Sequence, residues 1–479
     1  MARVALALAL LALAATPAAA LPTCAAAWGG PEAWSPGQDY AAFRVEKPRA
    51  GCRKRWTVLL YLAGDAEDLV APMDANIQAL RDAGGSTADL DVVVLRDELG
   101  PTGLKRLHVF ADGLAEAGGF ADESRPPEEL LRRFLQWGVA EYPADHYMVV
   151  LAGHGLGWRP TLPDLPAEAA RFDLRSKWGG FGFDATDGTV LDTPALRRAL
   201  ESVVDGPLGG RPLDVLLSDA CLMQSLEVLT ELADVARYVG GSEQVQPYRG
   251  LPYAGILKRL RRPPTDPVDG CADGDSPCRL ARTVASEQLQ TLERDASVEA
   301  EIRARFTYSV VDTSALRLRV LPALADFADA ASALIVQAPE SSFGFATVLA
   351  DTPGFLGGTR DLGAWLARVE GIEPARRGGA HAALHAAARA AHYALDTAVV
   401  DRGLGKAYRA DARGEYVGML GVALWLPVDQ ADRDRRLPFF AGSRLHRTLG
   451  VASGEREGRW PRLLSLIYEP PVPAESCAP

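Results

Sequence analysis

The stretch YMVVLAGHG, residues 147–155, is an apolar run that stops at a glycine and delivers a histidine. Residues 147–152 show no polar alternation, as a strand covered on both faces requires. A second run, 214–218, leads into Asp219-Ala220-Cys221, and a helical pattern follows over 222–233. Further out, WTVLLYLAG (56–64) and DVVVLR (91–96) are runs of the same kind, and 106–110 is a shorter one. Helical spacing fills the intervals. One helix is predicted over 73–83 before the Gly84-Gly85 stop, and another over 127–140 with Leu130, Phe134, Leu135 and Trp137 on its stripe. A third covers 195–204, entered through Thr193 as cap and Pro194 at the first helical position. Strands alternating with helices imply an α/β fold whose mostly parallel sheet is sandwiched by helices.

The chain has 479 residues, enough for two or three domains, with 48% hydrophobic and 24% charged residues, an ordinary globular composition. Sixty-two acidic against 51 basic residues give a net charge of -11, so no basic excess exists to drive binding to nucleic acid. Residues 1–20 (MARVALALALLALAATPAAA) join a short basic start at Arg3 to an apolar run and small residues at 18–20, the pattern of a signal peptide cut after Ala20. Export to a secreted or periplasmic location is expected, with a lipid anchor at Cys24 as the alternative. No other apolar run approaches the roughly 20 residues of a membrane span. Residues 21–55 form an N-terminal leader, 56–428 the main domain and 429–479 a peripheral tail rich in charge and proline. The segments 281–341 and 362–400 are Ala-rich and helical in pattern, and 422–427 (VALWLP) is a late strand.

Six cysteines survive the expected cleavage. An oxidising compartment favours disulfides. Cys271 and Cys278 bracket a short Asp- and Pro-bearing loop and suit a local bridge; Cys24 and Cys52 could pair likewise, with Cys477 competing for either. Cys221, between a strand pattern and a helical one, is the least disulfide-like.

In open α/β sheets reactive groups gather at the carboxyl ends of strands. If the two runs are neighbours, His154 and Cys221 meet there. A cysteine at a helix start, beside an imidazolium, has its thiol pKa lowered and becomes an activated nucleophile. Gly155 lacks a Cβ, so its N–H can approach an oxyanion together with that of Cys221. Acyl transfer is the favoured chemistry.

HGLGW at 154–158 and DACLM at 219–223 resemble the paired motifs of the clostripain family of cysteine peptidases. The resemblance extends, in order, through WTVLLYLAGDAED (56–68), YPADH (142–146), Glu227-Val228, Ser242-Glu243, 250–253 and 421–427. It implies a caspase-like fold, peptide or protein substrates, and a dyad with Cys221 as nucleophile and His154 as general acid/base. It also implies cleavage after Arg or Lys, with Asp219 in the specificity pocket. The chain departs from the family at Tyr248-Arg249, where an acidic residue often precedes the glycine; Glu243 could compensate, and Arg249 is expected to turn towards water. Gln224, where the family usually has a small residue, falls in the first turn of the expected helix. Self-cleavage is implied between the histidine and the cysteine, where the loop within 159–180 offers Arg171, Arg175 and Lys177. The alternative class is a catalytically silent caspase-like scaffold.

No cofactor or metal is assigned. His381, His385 and His392 could share a helix face but lack an HExxH glutamate. Asp184, Asp187 and Asp192 could hold calcium, which some family members use, although turns ask for the same residues.

Overall fold

The apolar runs become the parallel centre of a nine-stranded sheet in a computed structural model that describes residues 52–471 apart from 99–103, 118–125, 159–178, 185–187, 263–267, 273, 353, 356–357, 373–378 and 410–415. The strands are β1 (Lys54–Gly64), β2 (Leu90–Glu98), β3 (Lys105–Phe110), β4 (Gly113–Glu116), β5 (Ala144–Gly153), β6 (Gly180–Asp184), β7 (Thr189–Asp192), β8 (Leu213–Asp219), β9 (Ala236–Gly241), β10 (Thr307–Asp312), β11 (Thr359–Asp361), β12 (Val399–Leu404) and β13 (Ala423–Trp425). The main sheet runs β12-β10-β9-β8-β5-β1-β2-β3-β4, and β6-β7 and β11-β13 are separate pairs. From β9 to β2 every pairing is parallel, and both flanks are antiparallel.

Period-two alternation splits the central strands between two cores. Leu59, Tyr61, Val149, Leu151 and Leu216 face the core shared with the helices Pro127–Glu141, Thr193–Asp205 and Leu321–Gln337. Val58, Leu60, Met148, Val150, Val215 and Leu217 face the other, under the helices Val70–Asp82, Tyr253–Arg261 and Val284–Arg294. A sheet covered this way hides its backbone from water, which is why its strands read as continuous apolar runs.

Several boundaries differ from the sequence reading. The cap of Thr193–Asp205 is Asp192, whose side chain accepts the Ala195 N–H; Thr193 is already helical. The Ala-rich stretch 281–341 contains strand β10, which pairs antiparallel with β9 and β12. Its pattern TYSVVD is short and lies between helices, so helical neighbours hide it. The late strand is only Ala423–Trp425 and pairs with β11 outside the main sheet.

The tail expected to be peripheral folds into Gln430–Gly442, Arg444–Leu449 and Arg459–Tyr468. Phe440, Leu445, Trp460, Leu463 and Leu464 are fully buried in the first core. At roughly 1.5 to 3 kcal/mol for each buried side chain, the five rival the whole net stability of a typical domain, so the segment is part of the core and not an appendage. Thr313–Gln337 has the length and hydropathy of a membrane span. Leu316, Val320, Leu324, Phe327 and Ala331 are nevertheless fully buried within the protein.

Cys271 and Cys278 form the expected local disulfide, and Cys221 is free. Cys24, Cys477, the expected signal peptide and the expected processing loop lie outside the described residues.

Asp361 ties the C-terminal half together. At 1% exposure, it accepts N–H groups from Ala364 at 2.7 Å, Leu420 at 3.0 Å and Gly421 at 2.7 Å. Asp361→Ala strands three buried donors, each costing about 1 to 3 kcal/mol. The expected result in urea unfolding is a loss of at least about 3 kcal/mol. A loss well under about 1 kcal/mol would show that these bonds do not hold the segment.

Candidate active site

In the parallel register of β5 and β8, Ala152 lies opposite Asp219. His154 and Cys221 each stand two residues beyond that pair, so they leave adjacent strands at the same end of the sheet. Glycines let the two exits touch. A Cβ on Gly155 would overlap the Cys221 carbonyl oxygen and sit 3.1 Å from its nitrogen, and one on Gly157 would overlap the Leu222 carbonyl oxygen. No other residue permits that approach, and Gly157 also has a φ of 64°. The β6-β7 hairpin clamps the histidine loop through Leu156 N to Gly180 O and Gly182 N to His154 O, both 2.9 Å. Gly155 thus faces Phe181 as a non-hydrogen-bonded pair, and its N–H is not consumed by this ladder.

Cys221 sits in a turn, not at the start of a helix. The helix expected from 222 begins at Leu226, capped by the Ser225 side chain. Leu222 has a φ of 64°, the single positive value at a non-glycine among the described residues. Such a conformation costs roughly 1 to 2 kcal/mol and must be held. Here Leu222 N donates to Gln244 O, Gln224 N to Ser242 O and Ala423 N to Gln224 O. The Gln224 side chain, expected in a first helical turn, instead reaches Ser309, donating to its carbonyl at 3.1 Å and its hydroxyl at 2.9 Å.

This turn changes the electrostatics expected for the thiol. The helix that follows starts five residues beyond Cys221, at Leu226, so its first turn does not hold the thiol. Burial pushes the half-buried thiol up, the Gln246 N–H at 3.3 Å from Sγ works against that, and the charge of Asp219 adds to the rise. The free thiol is therefore above the ordinary cysteine range, opposite to the lowering expected from a dipole.

His154 places Nε2 at 3.2 Å from Oδ1 and 3.1 Å from Oδ2 of Asp68. Asp68 lies in the turn Glu67–Leu69, where β1 ends beside β5 with Ala63 opposite Gly153. Tyr248 donates its hydroxyl to Asp68 Oδ2 at 2.8 Å. Partial burial would raise this carboxyl, but the hydrogen bond from Tyr248 and the charge and hydrogen bond of His154 outweigh it and hold it below the ordinary aspartate value.

Asp219 is 7% exposed, and its Oδ2 accepts the Leu251 N–H at 3.0 Å and the Tyr253 hydroxyl at 2.7 Å. Burial pushes it up to about 6 against those two bonds. Gly250, with a φ of 72°, leaves room: a Cβ there would be 2.5 Å from Asp219 Oδ2. Arg249 turns away and pairs with Asp295, its side chain half-exposed. Glu243 is not brought to Asp219. It is buried against Asp361, where burial first and the Asp361 carboxylate second push it well above the ordinary glutamate value.

Of the residues singled out in the sequence, Cys221, His154, Gly155 and Asp219 gather at one end of the sheet, and Asp68, Gln246, Tyr248 and Tyr253, which the sequence reading assigns no role, join them there. For Asp68 a signal existed, since an acidic run closing a buried strand next to the histidine strand lies at the same sheet end. Gln246, Tyr248 and Tyr253 lie on an irregular segment with no period to place them.

Of the aspartates considered for calcium, Asp192 caps a helix and Asp187 lies outside the described residues. Among the described residues no three carboxylate, imidazole or thiol side chains converge to hold a metal ion. His385 and His392 each place Nε2 at 3.2 Å from a different backbone carbonyl, of Ile372 and Gly418.

Residues 60–342, more than half of the chain, match the family model described as the clostripain family. No curated protein matches it. Among solved structures, a secreted C11 cysteine protease from Bacteroides thetaiotaomicron in complex with an irreversible peptide inhibitor aligns with a TM-score of 0.53 at 19% identity, covering 83% of this chain and 99% of the other. An inactive zymogen C11 protease from Parabacteroides distasonis aligns with a TM-score of 0.54 at 17% identity, covering 83% and 98%. At such identities the likeness carries the fold, a caspase-like α/β sheet, and the family match carries the chemistry: this chain belongs to the clostripain family and is a cysteine peptidase.

Proposed function

We propose that the chain is an exported endopeptidase in which Cys221 is the nucleophile, His154 the general acid/base and Gly155 an oxyanion donor, and which cleaves after Arg or Lys held by Asp219. The observation that carries the reading is the contact of the two strand exits at Gly155 and Cys221. His154 takes the proton from Sγ as Sγ attacks the peptide carbonyl carbon, and the new oxyanion is met by the N–H groups of Gly155 and Cys221. Collapse breaks the C–N bond, and the proton passes from His154 to the leaving amine. Water, deprotonated by the same imidazole, then releases the acid from the thioester and returns the proton to Sγ. A thiol raised by burial suits a dyad that ionises as the substrate arrives, when the oxyanion donors and imidazolium can share the charge.

Asp219 has one carboxylate oxygen engaged by Leu251 and Tyr253, which leaves Oδ1 to face a substrate cation. A charge-assisted hydrogen bond of this kind is worth roughly 1.5 to 3 kcal/mol. Arg249 is neutralised at Asp295, so it does not cancel that gain. Glu243, buried against Asp361, is left out of the proposed pocket. Export is supported by the apolar start of the chain and by the description of the Bacteroides neighbour as secreted. Self-cleavage within 159–180 and the division into leader, peptidase domain and C-terminal part remain part of the proposal, with the C-terminal helices counted inside the peptidase core. No cofactor is assigned.

Purified protein incubated with a peptide library under reducing conditions is expected to cut after Arg or Lys. Cys221→Ala should abolish turnover and keep the melting temperature, and His154→Ala should be nearly as severe. Turnover above background in Cys221→Ala would refute the nucleophile, and cuts after neutral or acidic residues would refute the pocket.

The pocket carboxyl also sets a pH dependence. With a value of about 6, Asp219 is mostly neutral at pH 5 and mostly ionised at pH 7 in the free enzyme. The ratio of kcat/KM for an Arg substrate to that for its neutral citrulline isostere should therefore rise by up to about tenfold over that interval. Taking a ratio cancels the titration of the dyad itself. In Asp219→Asn the ratio should be low and flat; a wild-type ratio that is flat as well would remove Asp219 from the pocket.

A further inference from the structure

We infer that Asp68 is a positioning residue of the dyad, that it fixes the proton of His154 on Nε2, and that Tyr248 holds it in place. The inference rests on His154 being the general acid/base. Asp68 is ionised and can only accept, so the hydrogen between it and Nε2 belongs to the imidazole. Nε2 carrying the hydrogen leaves the lone pair on Nδ1, and Nδ1 is then the atom that takes the proton from Sγ and gives it to the leaving amine. Without the carboxylate, the neutral ring is free to carry its hydrogen on either nitrogen and to rotate, and half of these arrangements cannot accept from the thiol.

The placement is a consequence of the sheet. β1 is the neighbour of β5 on the side opposite β8, so a turn at its end reaches His154 from the side away from Cys221. The second anchor comes from another element. Tyr248 belongs to the irregular segment between β9 and the helix Tyr253–Arg261, whose Gln246 N–H lies on Sγ and whose Leu251 N–H lies on Asp219. One stretch of six residues thus touches the nucleophile, the carboxylate behind the histidine and the pocket carboxyl. Asp68 faces His154, His154 and Tyr248 face Asp68, and the contact of Gly155 with Cys221 sets the thiol's turn beside the histidine loop.

Two substitutions test this in the full-length protein. Asp68→Asn keeps the shape but can donate as well as accept, so it no longer dictates the tautomer; Tyr248→Phe removes only the hydroxyl. With the best peptide from the library, Asp68→Asn should lower kcat by about 10- to 100-fold with KM little changed. Tyr248→Phe should lower it less, and the double substitution should be no worse than Asp68→Asn alone. The imidazole of His154, followed by nitrogen-15 NMR in a Cys221→Ala background, should lose its preference for the Nε2–H tautomer once Asp68 is replaced, because the fixed acceptor at Nε2 is gone. An unchanged kcat in Asp68→Asn would overturn the inference, as would a reduced kcat with an unchanged tautomer preference. If His154→Ala itself kept turnover, the dyad would fail; if His154→Ala were inactive while Asp68→Asn was not, the dyad would stand and only the role of Asp68 would fall.

Discussion

The rest of the site depends on one pairing, the parallel register of β5 with β8 that sets Ala152 opposite Asp219. A slip by one residue would turn each apolar side chain on one strand to the wrong core, so burial on both faces fixes the register firmly. Because the register is fixed by packing, the distance between the two strand exits is fixed as well. Chemistry at the exits needs no ordering of its own beyond the turns. The glycines at 155 and 157 then convert neighbouring strand ends into touching loops, since a side chain at either place would strike the backbone after Cys221.

A second layer of restraint comes from elements far away in the chain. The turn carrying Cys221 is bonded on one side to the segment after β9 and on the other to β13, through Gln244, Ser242 and Ala423. Glu227, just beyond the turn, accepts the Trp425 N–H at 2.9 Å, and Asp361 holds the loop that leads into β13. The C-terminal helices bury Phe440 against Trp425 of β13 and Trp460 against Trp365. A chain cut at 428 would expose the core side of the strand that supports the turn carrying Cys221, so the C-terminal segment supports the candidate site through packing.

What could be read from the sequence follows from how local each feature is. Buried parallel strands are legible because two-sided burial writes itself as a continuous apolar run, and YMVVLAG and DVLLSD were found close to their observed bounds. The helix start at Leu226 was missed because residues 222–225 are compatible with a helix locally and are pulled out of it by bonds to Gln244, Ser242 and Ala423, none of which is near in sequence. β10 was hidden because a six-residue strand pairing with β9 and β12 has no local mark that separates it from a helical surrounding. The C-terminal helices were masked by composition: the segment reads as charged, yet Arg433 is itself buried, its charge met by Asp434 and Glu469, while Phe440 and Trp460, few and widely spaced, do the apolar burying. In the site, Cys221 and His154 were legible as chemical types at strand ends. Asp68 left only the trace of an acidic run at a strand end and Tyr248 none, because their partnership arises only when three elements meet.

The sites at which the chain violates ordinary folding preferences cluster at this same edge. Leu222 is left-handed, Asp219 is a buried carboxyl with no cationic partner among its hydrogen bonds, and Cys221 is a half-buried free thiol. Each is unfavourable by itself: the left-handed leucine costs about 1 to 2 kcal/mol, and a carboxyl raised from 3.8 to about 6 costs about 3 kcal/mol when ionised. The buried Lys54, Asp91 and His108 cluster differs in being charge-partnered: Lys54 Nζ is 2.7 Å and His108 Nε2 3.0 Å from one Asp91 oxygen. That cluster satisfies its own charges and stiffens the sheet. Asp219 is given two hydrogen-bond donors and no charge, enough to orient it but not to neutralise it. A fold whose stability is normally only about 5 to 15 kcal/mol tolerates such a cost where something outside the chain can offset it, and under the proposed specificity a substrate's cationic side chain is the group that would do so.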